Sequence, residues 1–491
     1  MAWSLERFAD IGLTAGVLDG LMASHVADEI PALERLWSYY RNERETTGRL
    51  AHQRGLPARL GGGSGGAPMS PGVEVVVEND IAWRIDALTD FVFGKPIRIE
   101  SDALDPERAV LIEAFCEGMW EASGGLGLLQ DAGTLGAVHG SVDVVVRTGE
   151  LFDAPRSLNA SASDEASARG AGERVRVDVV PATRGIGLVD PRDARRVLGY
   201  VVRSEIEAPE DRPSSPRPGG TLSGLARWFG TGGAAEAHRG LVEVVEVMSA
   251  AWWQVYENAE LVAEGPNRLG ELPAVHVQNR GQPFEWRGLS DVEPLVPLQD
   301  ELNTRLSDRA HRVTMQSFNM YLAKGLDTFG EGRVGPGRVW VTDNPAAEIV
   351  SFGGDGHSPS EAAHIEEIRS AMDKSSAISP VVLGTVRERL GQLSSATALR
   401  LTLSGVLSKT ERKRVQFARG IRRVCELGLL AADLAGVLPT HPSERLVRVV
   451  WPNPLPVSDE ELVRVASQKL QVGVGDERVL SELGYGDGGV E

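Results

Sequence analysis

His357 and His364 stand seven residues apart at the start of an apolar-periodic segment. That interval returns to one helix face but exceeds the three to five residues usual between paired metal ligands, so solvated helix-start histidines are expected rather than a metal site. Gly124-Gly-Leu-Gly127 has the composition of a phosphate cradle. The residues before it follow helical rather than strand periodicity, which makes it a break between helices. Asp190 and Asp193 flank Pro191, a pattern in which carboxylates bond nearby backbone in a turn between strands, and no acid/base pair is indicated. Two cysteines, Cys116 and Cys425, are too few for a disulfide framework or a four-thiolate zinc site, and fit a reducing compartment or one where redox is irrelevant. There is no Gly-x4-Gly-Lys-Ser/Thr loop, no His-Glu-x-x-His and no Asp-rich calcium loop. No catalytic residue, metal or cofactor is expected.

The basic residues are more informative. Between Ser394 and Leu438 stand Arg400, Lys409, Arg412, Lys413, Arg414, Arg419, Arg422 and Arg423 against only Glu411, Glu426 and Asp433. This is a local excess of positive charge in a chain whose 51 basic and 69 acidic residues give a net charge of -18. One reading is a solvated helix face with intrahelical ion pairs. The other is contact with nucleic-acid phosphates or with acidic neighbours in an oligomer. An acidic surface repels polyanions except where cations are collected, so a sequence-specific groove reader is not expected.

The elements that position these residues follow from length and pattern. The 491 residues, 42% hydrophobic and 24% charged, allow about three domains and a substantial core. Aromatics at 5% with 56 Gly and 27 Pro leave packing to Leu, Val and Ala and put many residues in turns. No apolar run of about 18 residues occurs, so no membrane span is expected, and the first residues lack the basic-then-apolar order of a secretion signal. Helices are predicted over 31–51, with Pro31 in the first turn, over 73–93, and over 106–138 with a break near Gly124-Gly125. Between 140 and 256 the pattern turns β-rich, with strands at 140–147, 175–180, 197–203, 241–247 and 252–256. Residues 154–174 and 209–240, rich in small residues, Pro or Gly, read as surface insertions. Ser290-Asp291 resembles a helix cap. Beyond it Leu295, Leu302, Leu306 and Val313 form one stripe of a helix of about 25 residues. Strand signals follow at Val339-Trp340-Val341 and at 348–352, including Ile349 and Phe352. Ser358-Pro-Ser-Glu361 opens another helix, to about Ala377, with Ile365, Ile368 and Met372 apolar. Residues 378–393 read as an exposed loop, 394–438 as a long helix, 446–451 as a strand, and 458 onward as a polar helical tail.

This order resembles the portal proteins of tailed bacteriophages, the head-to-tail connectors of the long-tailed siphophage type. The strings that carry the resemblance are Glu78-Asn-Asp-Ile-Ala-Trp-Arg-Ile-Asp-Ala-Leu-Thr-Asp-Phe-Val-Phe-Gly-Lys-Pro96, Val180-Pro-Ala-Thr-Arg184 leading into Leu198-Gly-Tyr-Val-Val-Arg203, and Leu272-Pro-Ala-Val-His-Val-Gln-Asn279. Ser290-Asp-Val-Glu-Pro-Leu-Val-Pro-Leu-Gln-Asp-Glu-Leu-Asn303 and Leu393-Ser-Ser-Ala-Thr-Ala-Leu-Arg400 continue it. The resemblance implies an α+β portal fold in a ring-shaped homo-oligomer. Its parts would be a wing (1–290), stem helix 1 (291–317), a small α/β clip (318–357), stem helix 2 (358–377), a tunnel loop (378–393), a long kinked wing helix with a strand (394–457), and a small helical crown or tail (458–491). Stem packing would fall to Leu295, Leu302, Leu306, Val313, Ile365, Ile368 and Met372. Docking at the clip would fall to Val339, Trp340, Val341, Ile349 and Phe352.

The function implied is a channel at the capsid vertex through which double-stranded DNA is packaged and ejected without sequence specificity. The implied partners are further copies of the chain, the terminase large subunit, a head-completion or adaptor protein, and the major capsid and scaffolding proteins. In the tunnel loop Arg387 and Arg389 would approach DNA, while Val381, Val382, Leu383, Thr385 and Val386 belong to the same loop, its valines and leucine packing adjacent loops together. Arg400, Arg412, Lys413, Arg414 and Arg419 would form the basic long helix. Twelve stem helices about 10 Å apart give a ring near 38 Å across and a bore of about 28 Å, wide enough for duplex DNA. Sliding requires weak contact, because each neutralised phosphate releases counterions and deepens binding. A structural or scaffolding oligomer without DNA passage is the competing reading, and an acidic hydrolase the third.

Overall fold

The computed structural model describes residues 3–43, 75–154, 162–207, 241–317, 320–324, 345–346, 348–352, 359–378, 380–383, 401–455, 459–473, 475 and 479. A 3-10 turn at Glu6–Ile11 leads into α1 (Ala15–Ser24), where the Thr14 hydroxyl accepts from the Val17 N–H (3.4 Å). A wider helical turn at His25–Glu29 joins it to α2 (Ile30–Arg41), which stops where Asn42 takes a left-handed conformation (φ 57°). The helix expected over 31–51 thus stops at Arg41 in the described chain, and residues 44–51 lie outside the described residues. Nothing in the sequence pattern announced α1, because only Leu18 of its ten residues is buried.

The helix expected from Val73 begins only at Ala82, as α3 (Ala82–Phe93). Residues 75–80 run non-helically instead, for a reason supplied by a later helix. Backbone N–H groups of Val76, Glu78 and Asp80 donate to Ser307 Oγ (2.9 Å), Asn303 Oδ1 (3.1 Å) and Gln299 Oε1 (3.2 Å). Polar side chains four residues apart on one helix face thus satisfy alternate amides of a strand-like segment. After β1 (Arg98–Ser101), Asp105 caps α4 (Pro106–Ala122), with Pro106 in the first turn. Gly124 and Gly125, at φ 116° and 56°, make the expected break before α5 (Gly125–His139).

β2 (Ser141–Arg147) is followed by a short α6 (Gly149–Asp153), α7 (Glu165–Gly172) and β3 (Arg176–Pro181). The reading of 154–174 as a surface insertion is overturned for its described part. Ala162, Ala168 and Ala171 lie in the main hydrophobic core, and residues 155–161 lie outside the described chain. Small side chains are what let α7 enter: a Cβ at Gly172 would collide with the Phe115 carbonyl oxygen of α4, and one at Gly118 with the Arg169 carbonyl oxygen. Gly172→Val should therefore unseat α7 and lower stability by about 1–3 kcal/mol. Urea unfolding measures it, and an unchanged midpoint would contradict the packing.

β4 (Gly185–Asp190), β5 (Asp193–Glu207), β6 (Leu241–Ser249), β7 (Trp252–Glu257) and β8 (Glu260–Pro266) form an antiparallel meander in that order. Asp190 and Asp193 close its first turn, as expected, and the Arg192 N–H donates to Asp190 Oδ1 (2.9 Å). β9 (Ala274–Gln278) joins β2 and β3 in a second antiparallel sheet with β2 central, Val144 facing both Val179 and Val275. The proposed insertion at 209–240 lies outside the described residues.

α8 (Val296–Ser317), β10 (Met320–Lys324), β11 (Glu348–Phe352) and α9 (Pro359–Ser376) follow, with β10 and β11 paired antiparallel. A 3-10 turn at Pro380–Leu383 precedes α10 (Ser404–Leu434). β12 (Val447–Val450) pairs with β1, and α11 (Asp459–Gln471) is the last helix described. The main core lies where α4, α5, α7 and α10 cover the β3-β2-β9 sheet, with Phe93, Phe115, Phe417 and Leu427 buried in it. No described helix is long and apolar enough to cross a membrane.

Candidate functional site

The chain from β9 into α8 passes through a heavily charged point of the interior. Ser290 does cap: its hydroxyl accepts from the N–H groups of Val292 (3.1 Å) and Glu293 (3.2 Å) and donates to the Val138 carbonyl (2.6 Å). Asp291 beside it is 1% exposed. Its Oδ1 lies 2.9 Å from Lys409 Nζ and 3.2 Å from Arg280 Nε, and its Oδ2 lies 2.6 Å from Lys413 Nζ. Asn279 Nδ2 donates to the same Oδ2 (2.8 Å), and the Asp291 N–H donates to the Ala137 carbonyl (2.8 Å). Burial alone would raise the Asp291 pKa, but Lys413, Lys409 and Arg280 outweigh it and hold the carboxyl well below the usual range. Lys409, itself buried and crowded by the other two cations, is pushed down from the ordinary lysine value despite Asp291.

A second buried charge locks the neighbouring helix end. Arg84 of α3 donates from Nε to the Asp80 carbonyl (3.0 Å) and pairs with Asp80 Oδ2 (3.0 Å) and Asp373 Oδ1 (2.6 Å). Its guanidinium also reaches Ser376 Oγ (3.2 Å) and lies over the Trp83 ring. Ser376 connects the two clusters, because its carbonyl accepts from Lys409 Nζ (2.9 Å). The C-terminus of α9, from which residues 378–393 depart, is thus held from one side by α3 and from the other by α10.

Several sequence-predicted residues meet around this hub. Leu295, Leu302, Ile365, Ile368 and Met372 share one buried apolar cluster with Tyr39, Ile85 and Val138, and Leu306 packs at its margin. Val313 does not join them and is 52% exposed. It is on the same stripe, but there α9 has reached its first turn and offers Glu361, which pairs with Arg312 instead of an apolar side chain. The expectation that Val313 packs the helix pair is corrected accordingly for the single chain. Ile349 and Phe352 fall on β11, opposite Ala323 and Met320. Val382 packs on a small cluster with Leu88, Ile378, Leu403 and Val406, with Val381 half-buried beside it. Leu383 ends the 3-10 turn. Val339, Trp340, Val341, Thr385, Val386, Arg387, Arg389 and Arg400 lie outside the described residues, as does His357.

The basic helix divides in two. Lys409, Lys413 and Arg414, expected on a solvated or DNA-facing surface, are 8%, 2% and 6% exposed and bind the protein's own oxygens. Arg414 donates to the Phe91 (3.1 Å) and Pro452 (3.0 Å) carbonyls. The reason is the helix phase: these residues share the face that crosses the start of α8 and the end of α9. Arg412, Arg419 and Arg422 point outward. Residue types alone did not reveal Asp80, Arg84, Gln299, Asn303, Ser307 or Asp373 as positioning groups. The available signal was spacing, Asp80 and Arg84 four apart, and a polar ridge inside an otherwise amphipathic helix.

The hub's charges neutralise one another or reach backbone carbonyls, so it positions helices and offers no nucleophile with a free base beside it. No group of three or more His, Cys, Asp or Glu is placed to hold a metal among the described residues. His364 is an exposed residue near Glu301 and Glu367.

Residues 242–483, which include β6 to β9, the hub, α8, α9, α10 and β12, match the family described as phage portal protein, SPP1 Gp6-like. Among solved structures, a chain of the virion of a native gene transfer agent particle is similar at 10% identity and a TM-score of 0.41, over 82% of this chain and 89% of that one. No curated protein matches the sequence. Over residues 242–483 the chain is thus similar to the SPP1 Gp6-like phage portal protein family, whose members are structural proteins and not enzymes.

Proposed function

We propose that this chain is the subunit of a ring at the vertex of a phage-type capsid, part of the virion, and that double-stranded DNA enters and leaves through the ring's channel. The family match over residues 242–483 carries the reading. The described architecture supports it: α8 and α9 pack against each other through one apolar cluster, with the paired strands β10 and β11 between them in the chain. In this reading 291–317 and 358–377 are the stem, 318–357 the clip that docks the terminase large subunit and later a head-completion or adaptor protein, and 378–393 the tunnel loop. Residues 1–290 and 394–457 make the wing, and 458–491 a small crown. A 22-residue α8 is about 33 Å long, enough to form a substantial channel wall.

The hub then has a mechanical role. By fixing the C-terminus of α9, the Arg84 and Asp291 clusters set where the tunnel loop leaves the stem. Arg387 and Arg389 in that loop would touch DNA weakly, since firm binding would oppose passage. Replacing both with alanine should alter the amount of DNA packaged per particle while rings still assemble. Quantifying DNA in purified particles tests it, and unchanged packaging contradicts the loop assignment. Particles assembled without the chain should form capsids lacking DNA; normal filling in its absence contradicts the whole reading.

A further inference from the structure

Two of the outward arginines of α10 face a cleft that the proposed channel does not use. It measures about 1230 Å3 and runs between α10 on one side and β9 with its following loop on the other. Arg419 and Arg422 of α10 and Arg192 of the β4–β5 turn line it, all exposed. None of the three side chains forms an ion pair among the described residues, whereas Arg423 and Arg445 on the same walls are taken up by Glu271, Glu426 and Asp433.

The loop opposite presents an apolar group to solvent. Phe284 is 96% exposed and sits at φ 64°, a left-handed conformation that a bulky residue rarely adopts. The loop beneath it is held firmly: His276 stacks on Trp286 at 3.6 Å, and the Trp286 carbonyl lies 2.7 Å from His276 Nε2 and accepts from Gln278 Nε2 at 3.0 Å. A braced loop that displays an aromatic ring beside unpaired arginines has the composition of a protein contact, where aromatic residues and Arg are enriched.

We propose that this cleft receives an acidic face of a second copy of the chain, as one half of the head-to-tail contact between ring neighbours. The proposal rests on the ring reading. Copies that each carry a net charge of -18 repel one another unless cations are gathered where they touch. A head-to-tail contact uses two different surfaces of one chain, so a basic receiver on one side suffices. Nucleic acid is the other polyanion such a cleft could take, and the test separates the two.

The test compares the full-length chain with a triple variant, Arg192→Glu, Arg419→Glu and Arg422→Glu, and with Phe284→Ser. The substituted groups are exposed, so thermal unfolding of the unassembled chain should stay near wild type. The ring fraction, read by sedimentation velocity and particle imaging, should fall about tenfold or more. A photo-crosslinking benzophenone side chain at position 284 should join one copy to another. Rings at wild-type level in both variants, or a wild type that assembles without giving that crosslink, overturn the proposal while leaving the ring reading intact. Normal rings with weakened binding of a short DNA duplex assign the cleft to nucleic acid and likewise overturn it. A wild type that forms no rings contradicts both readings.

Discussion

Replacing Asp291 with alanine should destabilise the chain by about 3–5 kcal/mol, because it strands buried cations with no counter-ion. Lys413 and Lys409 are almost fully buried and Arg280 partly so. Domain stabilities are about 5–15 kcal/mol, so such a loss consumes much of the total. Urea unfolding monitored by far-UV circular dichroism gives the value, and a cost below about 1 kcal/mol would contradict the hub. Removing the charges together should recover most of the loss: Asp291→Leu with Lys409→Met and Lys413→Met replaces ions by packing of similar volume. The sign with pH follows from the depressed Asp291 pKa. The unfolded carboxyl takes up a proton near pH 3.9 while the folded one stays ionised, so its contribution is present above about pH 4 and fades as pH falls further. Asp291→Asn should remove that part of the acid dependence, and an identical acid profile in the variant would contradict the assignment.

Arg84→Ala should cost a comparable amount, about 3–5 kcal/mol, by leaving Asp80 and Asp373 unpaired beside a buried void. Its guanidinium reaches Asp80, Asp373 and Ser376 from one planar fork at 2% exposure. Lysine cannot reproduce that geometry, so Arg84→Lys should rescue little. The effect should concentrate at the end of α9: hydrogen exchange of residues 372–378 should accelerate more than that of the α4 core. Uniform acceleration across the chain would contradict a clamp localised at Ser376.

These two residues show where a sequence is readable. The break at Gly124-Gly125 and the turn at Asp190–Asp193 were legible because local backbone chemistry decides them. The apolar stripe from Leu295 to Leu306 was legible because its period matches the helix. Lys409 and Lys413 were not, since a charge count over 394–438 cannot reveal that one carboxylate more than a hundred residues earlier takes up both. The same blindness placed Ala168 and Ala171 at the surface. Small residues look like an insertion until the close approach of α7 to Gly118 shows why nothing larger fits. The late start of α3 has a related cause, because partners on α8 offered the amides of 76–80 an alternative to helix. Val313 marks the opposite limit, a residue in phase with the stripe that nevertheless stands outside the buried cluster and is half exposed.

The central claim is that copies of this chain enclose a DNA-wide channel. Electron microscopy of the purified full-length chain, and of the vertex of assembled particles, tests it most directly. The account predicts rings, about twelve-fold in the particle, with stem helices lining a bore of about 28 Å. Monomers, open filaments, or closed rings too narrow for duplex DNA would contradict it.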